Sequence, residues 1–300
     1  MLAPPQADRN EQGLQSRVGD ENHTSRHARN TAMTVVLAAV MLVTLAVLSW
    51  VLVYVGAQGL KYLGPSFFTQ TPPGNPSQAG GGFESGIIGS LIIVGIASLF
   101  SVPIGIAAAV AIIEYSGRFS AATSFVTDVL VGLPSIVVGA FVYALWVTRF
   151  GFSGLAGSIA LAIIMLPLVT RASAEMLRLV PVALREAAGS LGISRARTIV
   201  SIVLPSARAG ITTGVMLAVA RAMGETAPLL LTALGNDLFV TTNPTKRMST
   251  LSLEIFNNAI TGFQAAQARA WAGALTLILI VLVLFIAARV IGRRLTVTRS

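Results

Sequence analysis

Long apolar runs alternate with short polar segments along almost the whole chain. A polar N-terminal segment, 1–30, contains Pro4 and Pro5 and precedes the first run. A helix needs about 20 apolar residues to cross a bilayer. The runs that meet this length are 33–55, 86–113, 122–147, 156–177, 209–234 and 271–291. The pattern therefore predicts an all-α polytopic membrane protein with six transmembrane helices, a transmembrane domain over 31–300 and a disordered cytoplasmic tail over 1–30.

The composition agrees with this pattern and excludes several kinds of site. Of the 300 residues, 54% are hydrophobic and 11% are charged, whereas about a quarter of a soluble domain is charged. The chain has no cysteine, which excludes disulfides and thiolate chemistry. Its two lysines, Lys61 and Lys246, do not follow glycine, which excludes a Gly-Lys-Ser/Thr phosphate-binding loop. We therefore expect no cofactor in this chain, with any ATP and Mg²⁺ bound by a partner subunit.

The positive charge is distributed as in a membrane protein. The formal net charge is +9, but the arginines flank apolar runs, so we expect no nucleic-acid partner. Fifteen Lys and Arg residues fall in the segments predicted to face one side, and five in those facing the other. By the positive-inside rule this distribution places both termini in the cytoplasm. The two histidines, His23 and His27, stand alone in the polar tail, and we expect no metal site.

The cytoplasmic loop between the fourth and fifth predicted spans, 180–208, predicts a helical hairpin. Pro181 suits a first helical position, Gly192 is a stop signal, and Ser194 is suited to cap a second helix. Pro205 is expected to end that second helix. Apolar or small residues at helical spacing are Leu184, Ala187, Ala188 and Leu191 in the first helix, and Ala196, Ile199, Val200 and Val203 in the second. Such a hairpin either lies on anionic lipid or docks another protein.

The spacing within this loop resembles the EAA loop of ABC importer permeases. The matching positions are Glu186, Ala187, Ala188, Gly192, Ile202, Leu204 and Pro205. The resemblance implies that the loop is a coupling helix, which inserts into a groove of a cytosolic ATPase. It assigns the sharp turn to Gly192 and deep seating of the first helix to Ala187 and Ala188. It also implies that Glu186 pairs with a basic group of the ATPase or of this loop.

Two charges stand within the fifth predicted span. Arg221 and Glu225 are four residues apart, so their side chains lie on one face of a helix. A helix starting near residue 209 places Arg221 about 18 Å along its axis, close to the middle of the membrane. The two residues either form a structural ion pair or line a pathway in which the guanidinium binds an anion such as phosphate; we favour the pathway. Arg171 and Glu175 are a similar predicted pair at the cytoplasmic end of the fourth span.

Three segments resemble the phosphate-specific ABC transporter permeases of the PstA family, namely 128–139, 166–181 and 217–235. The last segment continues as TAPLLLTA after Glu225, which separates it from the related PstC permeases. The resemblance implies an ABC importer type I (MetI-like) permease in a bacterial inner membrane, forming half of a pathway for inorganic phosphate. It implies as partners a PstC-like permease, two cytosolic PstB-like ATPase subunits and a periplasmic PstS-like binding protein. The implied pathway residues are Arg221, Glu225, Arg171 and Glu175.

Other functions compete with this interpretation. The motif GFSG, 151–154, resembles the nucleophile motif of rhomboid proteases, but no histidine lies beyond His27 to act as a base. We therefore expect a transport subunit and not an enzyme. A secondary transporter would leave the EAA-like loop unexplained, whereas an ABC permease for molybdate or sulfate would not. The external loop 235–270 either contacts a binding protein through Lys246 and Arg247 or is a solvated connection.

Overall fold

Helices form almost all of the regular structure. The computed structural model describes the backbone of residues 7–297, with the side chains of Arg26 and of residues 29–290. The helices are α1 (Ala7–Gly59), α2 (Pro65–Thr69), α3 (Glu84–Glu114), α4 (Arg118–Gly132), α5 (Ser135–Val142), α6 (Thr148–Phe150), α7 (Gly154–Arg178), α8 (Val182–Ser190), α9 (Arg195–Thr198), α10 (Leu204–Met223), α11 (Ala227–Thr232), α12 (Leu251–Ala259) and α13 (Gln264–Val297). Two π-helical segments, π1 (Tyr143–Val147) and π2 (Ile199–Val203), connect α5 to α6 and α9 to α10.

Five helices of the described chain are long and apolar enough to cross a membrane, and a bent pair can supply a sixth crossing. The five are Arg29–Gly59, Glu84–Glu114, Gly154–Arg178, Arg195–Met223 and Gln264–Val290. The bent pair is Arg118–Gly132 with Ser135–Phe150, and its two parts meet at 102°. The predicted number of six spans therefore holds when the bent pair is counted as one.

The first helix is longer than the sequence predicts. Contacts divide the chain into two units, Met1–Gly56 and Ala57–Ser300. The backbone of α1 is helical from Ala7, whereas a disordered tail was expected as far as residue 30. No proline lies between Ala7 and Gly59, so the segment carries no strong helix breaker. Residues 1–6 of the predicted tail, and the side chains of both histidines, lie outside the described residues.

The third predicted span, 122–147, is not a straight helix. It breaks between α4 and α5, where Leu133 has φ −75° and ψ 128° and Pro134 has φ −60° and ψ 136°. A proline disfavours helical geometry in the residue before it and removes a backbone donor. These two effects account for the 102° bend.

The fifth span begins and ends earlier than predicted. Helical structure is continuous from Arg195 to Met223, so the expectation that Pro205 ends the second hairpin helix is wrong. Pro205 instead lies in the first turn of α10, directly after π2. The wider π-helical turn removes the need for the hydrogen bond that proline cannot donate. The helix then stops at Gly224, ten residues before the predicted end at 234.

The core of the unit 57–300 is built around α7, which packs against α3 on one side and α10 on another. At Gly105 of α3 an added Cβ would lie 2.8 Å from Val169 Cγ1, and at Gly214 of α10 it would lie 2.5 Å from Ala172 Cβ. Small residues at these crossings let the helix backbones approach closely. Buried side chains at these contacts include Ile93, Ala97, Leu161, Met165, Val169, Leu177, Ala218 and Ala222.

The loop between α11 and α12 closes the start of α7. Leu155 N donates to Pro244 O at 2.7 Å, and Gly154 N donates to Lys246 O at 2.9 Å. Ser153 Oγ accepts from Ala156 N at 3.2 Å and caps the helix. Ser153 is 3% exposed, and its hydroxyl serves the helix terminus.

Candidate functional site

The hairpin formed by α8 and α9, defined here as residues 182–198, turns at Gly192 as predicted. Gly192 has φ +73°, a conformation that glycine adopts without strain. Gly192 N donates to Gly189 O at 2.9 Å, and Ile193 N donates to Ala188 O at 3.0 Å. This pair of hydrogen bonds is a Schellman motif, which satisfies the last carbonyls of α8. Ser194 precedes α9, but its side chain makes no capping hydrogen bond.

The residues of the hairpin differ in their exposure. Glu186 and Ala187 are exposed, whereas Ala188 is 2% exposed. Ala188 therefore packs inside the chain, whereas Ala187 lies on the surface of the hairpin. Glu186 makes no ion pair within the described residues. Leu191, directly before Gly192, is 79% exposed, so the hairpin tip presents an apolar side chain.

The second half of the EAA-like pattern forms the base of the hairpin. Ile202 lies in π2, and Leu204 and Pro205 begin α10. All three are half-buried. Their position places them where the hairpin joins the membrane helices, away from its tip at Gly192.

Two residues at the end of α3 hold the hairpin, and sequence reasoning missed them. Arg185 Nη2 lies 2.7 Å from Glu114 Oε1, and the same guanidinium donates to Val180 O and Leu177 O at 2.6 and 3.0 Å. Tyr115, the next residue, stacks against Arg195, with Cζ 4.9 Å from the ring centroid. Seventy-one residues separate Glu114 from Arg185, so no local spacing rule could reveal the pair.

Arg221 and Glu225 face each other as predicted, but at a helix end. Arg221 Nε lies 3.5 Å from Glu225 Oε1. Arg221 belongs to the last turn of α10, so its predicted place midway along a straight helix is wrong. The Arg221 side chain is 61% exposed and that of Glu225 is 14% exposed. Glu225 is also fixed through its backbone, because its carbonyl accepts from Ser252 Oγ at 2.8 Å.

Arg171 and Glu175 do not pair with each other. Arg171 Nη2 lies 2.8 Å from Asp128 Oδ1 of α4, and Glu175 Oε1 lies 3.0 Å from Arg178 Nη1. The predicted pair is therefore wrong. The competing partner, Asp128, is far away in the sequence and comes into reach only because α4 packs against α7.

Arg171 and Arg221 stand on helices that cross closely. α7 and α10 run antiparallel, with Gly210 beside Met176 and Gly214 beside Ala172. Seven residues separate Gly214 from Arg221, which is roughly 10 Å along α10. Both arginine side chains are more than half exposed. The subunit thus presents two guanidinium groups on uncovered parts of membrane-length helices.

A polar cluster lies where α12, which is not one of the candidate spans, meets the start of α3. Glu254 is 0% exposed, and its Oε1 lies 2.6 Å from Ser85 Oγ, which also lies 3.1 Å from Asp237 O. The Ser85 hydroxyl is the donor in both contacts, so its single hydrogen is shared between Glu254 Oε1 and Asp237 O. Burial raises the pKa of Glu254 to about 8, with the nearby Asp237 charge acting in the same direction.

Comparison with known proteins assigns this arrangement to a family. Residues 101–297 match the family described as binding-protein-dependent transport system inner membrane component. The chain is 42% identical over 270 residues to the phosphate transport system permease protein PstA of Yersinia pestis, covering 89% of this chain and 90% of that protein. The chain belongs to the PstA family of phosphate transport system permeases. A second member, from Pasteurella multocida, is 44% identical over 247 residues, covering 81% and 87% of the two chains.

Solved transporters share the fold of this PstA family member. An inward-facing structure of the MetNI methionine ABC transporter matches with a TM-score of 0.56 and 16% identity, covering 70% of this chain and 94% of that chain. A bacterial alginate ABC transporter matches with a TM-score of 0.63 and 16% identity, covering 89% and 96%. The predicted MetI-like architecture is therefore confirmed, and the chain is a multi-pass inner-membrane protein.

Proposed function

We propose that this chain is a permease subunit of an ATP-driven inorganic phosphate importer, and that it forms half of the transmembrane pathway. The observation that carries the proposal is 42% identity across 89% of the chain to a phosphate transport permease. The aligned region spans most of both chains, so the similarity extends well beyond a single motif. The chain itself is a transport subunit, and its relatives are named as permeases.

The charges on the membrane helices support an anion pathway. A charged side chain facing lipid costs about 3 kcal/mol or more, so the exposed Arg171 and Arg221 are expected to face water or a partner subunit. Arg221 contacts Glu225 through Nε at 3.5 Å, and its two terminal nitrogens make no ion pair with the described residues. These nitrogens form the planar fork that matches two phosphate oxygens. Glu225 then holds the guanidinium in place between substrates.

A permease subunit of this kind requires partner subunits. A PstC-like permease supplies the other half of the pathway, two PstB-like ATPase subunits bind ATP and Mg²⁺, and a PstS-like protein delivers phosphate from the periplasm. Both termini lie in the cytoplasm, as the distribution of Lys and Arg indicates. This orientation presents the tip of the coupling hairpin, with exposed Glu186, Ala187 and Leu191, to the ATPase.

Phosphate uptake by cells that lack and regain this chain tests the proposal. Arg221→Gln keeps a polar side chain but removes the charge-assisted fork, and uptake at limiting phosphate should fall by about tenfold or more. Arg289→Gln, at an exposed position of α13, is the matched control and should retain uptake. Unchanged uptake by Arg221→Gln contradicts a pathway role, and loss of subunit assembly supports a structural ion pair. Molybdate or sulfate competing as well as phosphate would indicate a different oxyanion.

A further inference from the structure

Two adjacent residues at the end of α3, Glu114 and Tyr115, contact both helices of the coupling hairpin. We call them the α3 anchor. Glu114 pairs with Arg185 of α8 at 2.7 Å, and Tyr115 stacks against Arg195 at the start of α9. Chain connectivity does not require either contact, because α8 follows α7 and α9 continues into α10. The anchor therefore ties a third membrane helix to the hairpin.

The ion pair between Glu114 and Arg185 is part of a larger hydrogen-bond network. Arg185 donates through Nε to both carboxylate oxygens of Glu114 at 3.1 and 3.3 Å, and through Nη1 and Nη2 to Val180 O and Leu177 O. One guanidinium thus connects α8, the carboxyl end of α7 and the end of α3. A carboxylate at the last residue of a helix is unfavourable for the helix dipole, so Glu114 does not serve the local stability of α3.

The first turn of α3, at the opposite end of the helix, contacts the polar cluster that contains Glu254. Ser85, in the first turn of α3, contacts Glu254 of α12 at 2.6 Å and Asp237 O at 3.1 Å. Between its ends, α3 packs along α7, with close approach at Gly105. Helix α3 is 31 residues long, about 45 Å at 1.5 Å per residue. It is one continuous helix, with Pro103 in its interior, and it contacts the hairpin at one end and α12 at the other.

We propose that the α3 anchor transmits movement of the coupling hairpin to α3, and through α3 to the external helix α12. The inference rests on the proposed function, because it presupposes an ATPase that moves the hairpin. Glu114, Tyr115, Arg185 and Arg195 are then positioning residues, which touch neither nucleotide nor phosphate. Hydrogen-bonded and closely packed rigid elements of this kind can couple two distant sites.

The test uses the complete transporter reconstituted in liposomes, with ATP hydrolysis and phosphate uptake measured on the same sample. Glu114→Gln removes the charge that holds Arg185, and Tyr115→Leu removes the ring beneath Arg195. Both variants should retain the bound ATPase and hydrolyse ATP, but phosphate moved per ATP should fall by about fivefold or more. Tyr115→Phe keeps the aromatic ring and should therefore move as much phosphate per ATP as the wild type. Arg289→Gln is the control for loss of a charge elsewhere.

The possible outcomes separate this inference from the proposed function. A wild-type complex that takes up no phosphate contradicts the proposed function. A wild-type complex that transports, while Glu114→Gln and Tyr115→Leu move as much phosphate per ATP, overturns the α3 anchor alone. Failure of both variants to fold or assemble also overturns it, because these residues would then be needed for folding and not for transmission. If only one of the two variants fails to assemble, the phosphate moved per ATP by the other variant is the deciding measurement.

Discussion

Substitutions at Gly192 can distinguish two effects on the hairpin. One is backbone strain at the turn, and the other is steric exclusion of a docked ATPase. Gly192 has φ +73°, and an added Cβ would meet no atom within 4 Å. Gly192→Ala therefore introduces backbone strain of roughly 1–2 kcal/mol without a clash inside the chain. Strain of that size lowers the population of the native turn, relative to a relaxed one, by roughly 5- to 30-fold.

Asparagine and aspartate separate strain from steric exclusion. Both tolerate positive φ better than alanine does, but both carry larger side chains into the open space beyond Gly192. If only strain matters, Gly192→Asn should retain more uptake than Gly192→Ala. Close approach of an ATPase surface predicts the opposite order, with Gly192→Asp uncoupled while still present in the membrane.

The assay is phosphate uptake together with recovery of the ATPase on the tagged permease. Gly151→Ala is the matched control, because Gly151 has φ +81°, an added Cβ there also meets nothing within 4 Å, and it lies outside the hairpin. Its ψ of 174° lies in a region that is essentially restricted to glycine, so Gly151→Ala should show strain at least as large in thermal unfolding but full recovery of the ATPase. Full uptake and full ATPase recovery by Gly192→Asp would refute the reasoning.

Three further predictions concern packing and pH. The folded-state pKa of Glu254, about 8, lies above the ordinary value of 4.5. The contribution of its neutral form to stability is therefore full at low pH and is lost as pH rises from about 4.5 to about 8; Glu254→Gln should flatten that dependence in thermal melts. Gly139→Ala should lower the melting temperature, because its Cβ would lie 2.6 Å from the α11 backbone, whereas Gly95→Ala meets nothing within 4 Å and should not. Asp128→Asn breaks a half-exposed pair with Arg171 and should shift the melting temperature by no more than about 4 °C.

Local chemistry made the hairpin predictable. The stop at Gly192 depends on a backbone conformation that few other residues adopt, and the structure places the Schellman motif there. The pairing of Arg221 with Glu225 likewise follows from a spacing of four residues. Membrane spans were recognisable because apolar length is itself the physical requirement.

Contacts between distant segments were not predictable in this way. Spacing suggested that Arg171 pairs with Glu175, but packing of α4 on α7 supplies Asp128 at 2.8 Å. Pro205 was expected to stop a helix, yet π2 accommodates it. The Glu114–Arg185 pair joins residues that no periodic pattern relates. Each depends on tertiary packing, which local propensity and spacing do not contain.

The most direct test of the central claim is ATP-dependent phosphate accumulation by the purified, reconstituted complex that contains this chain. The account predicts that a nucleotide-hydrolysing subunit co-purifies with the chain, and that liposomes accumulate radiolabelled phosphate only when ATP and the binding protein are present. Recovery of the chain without any ATPase, or phosphate movement that does not depend on ATP, would contradict the account.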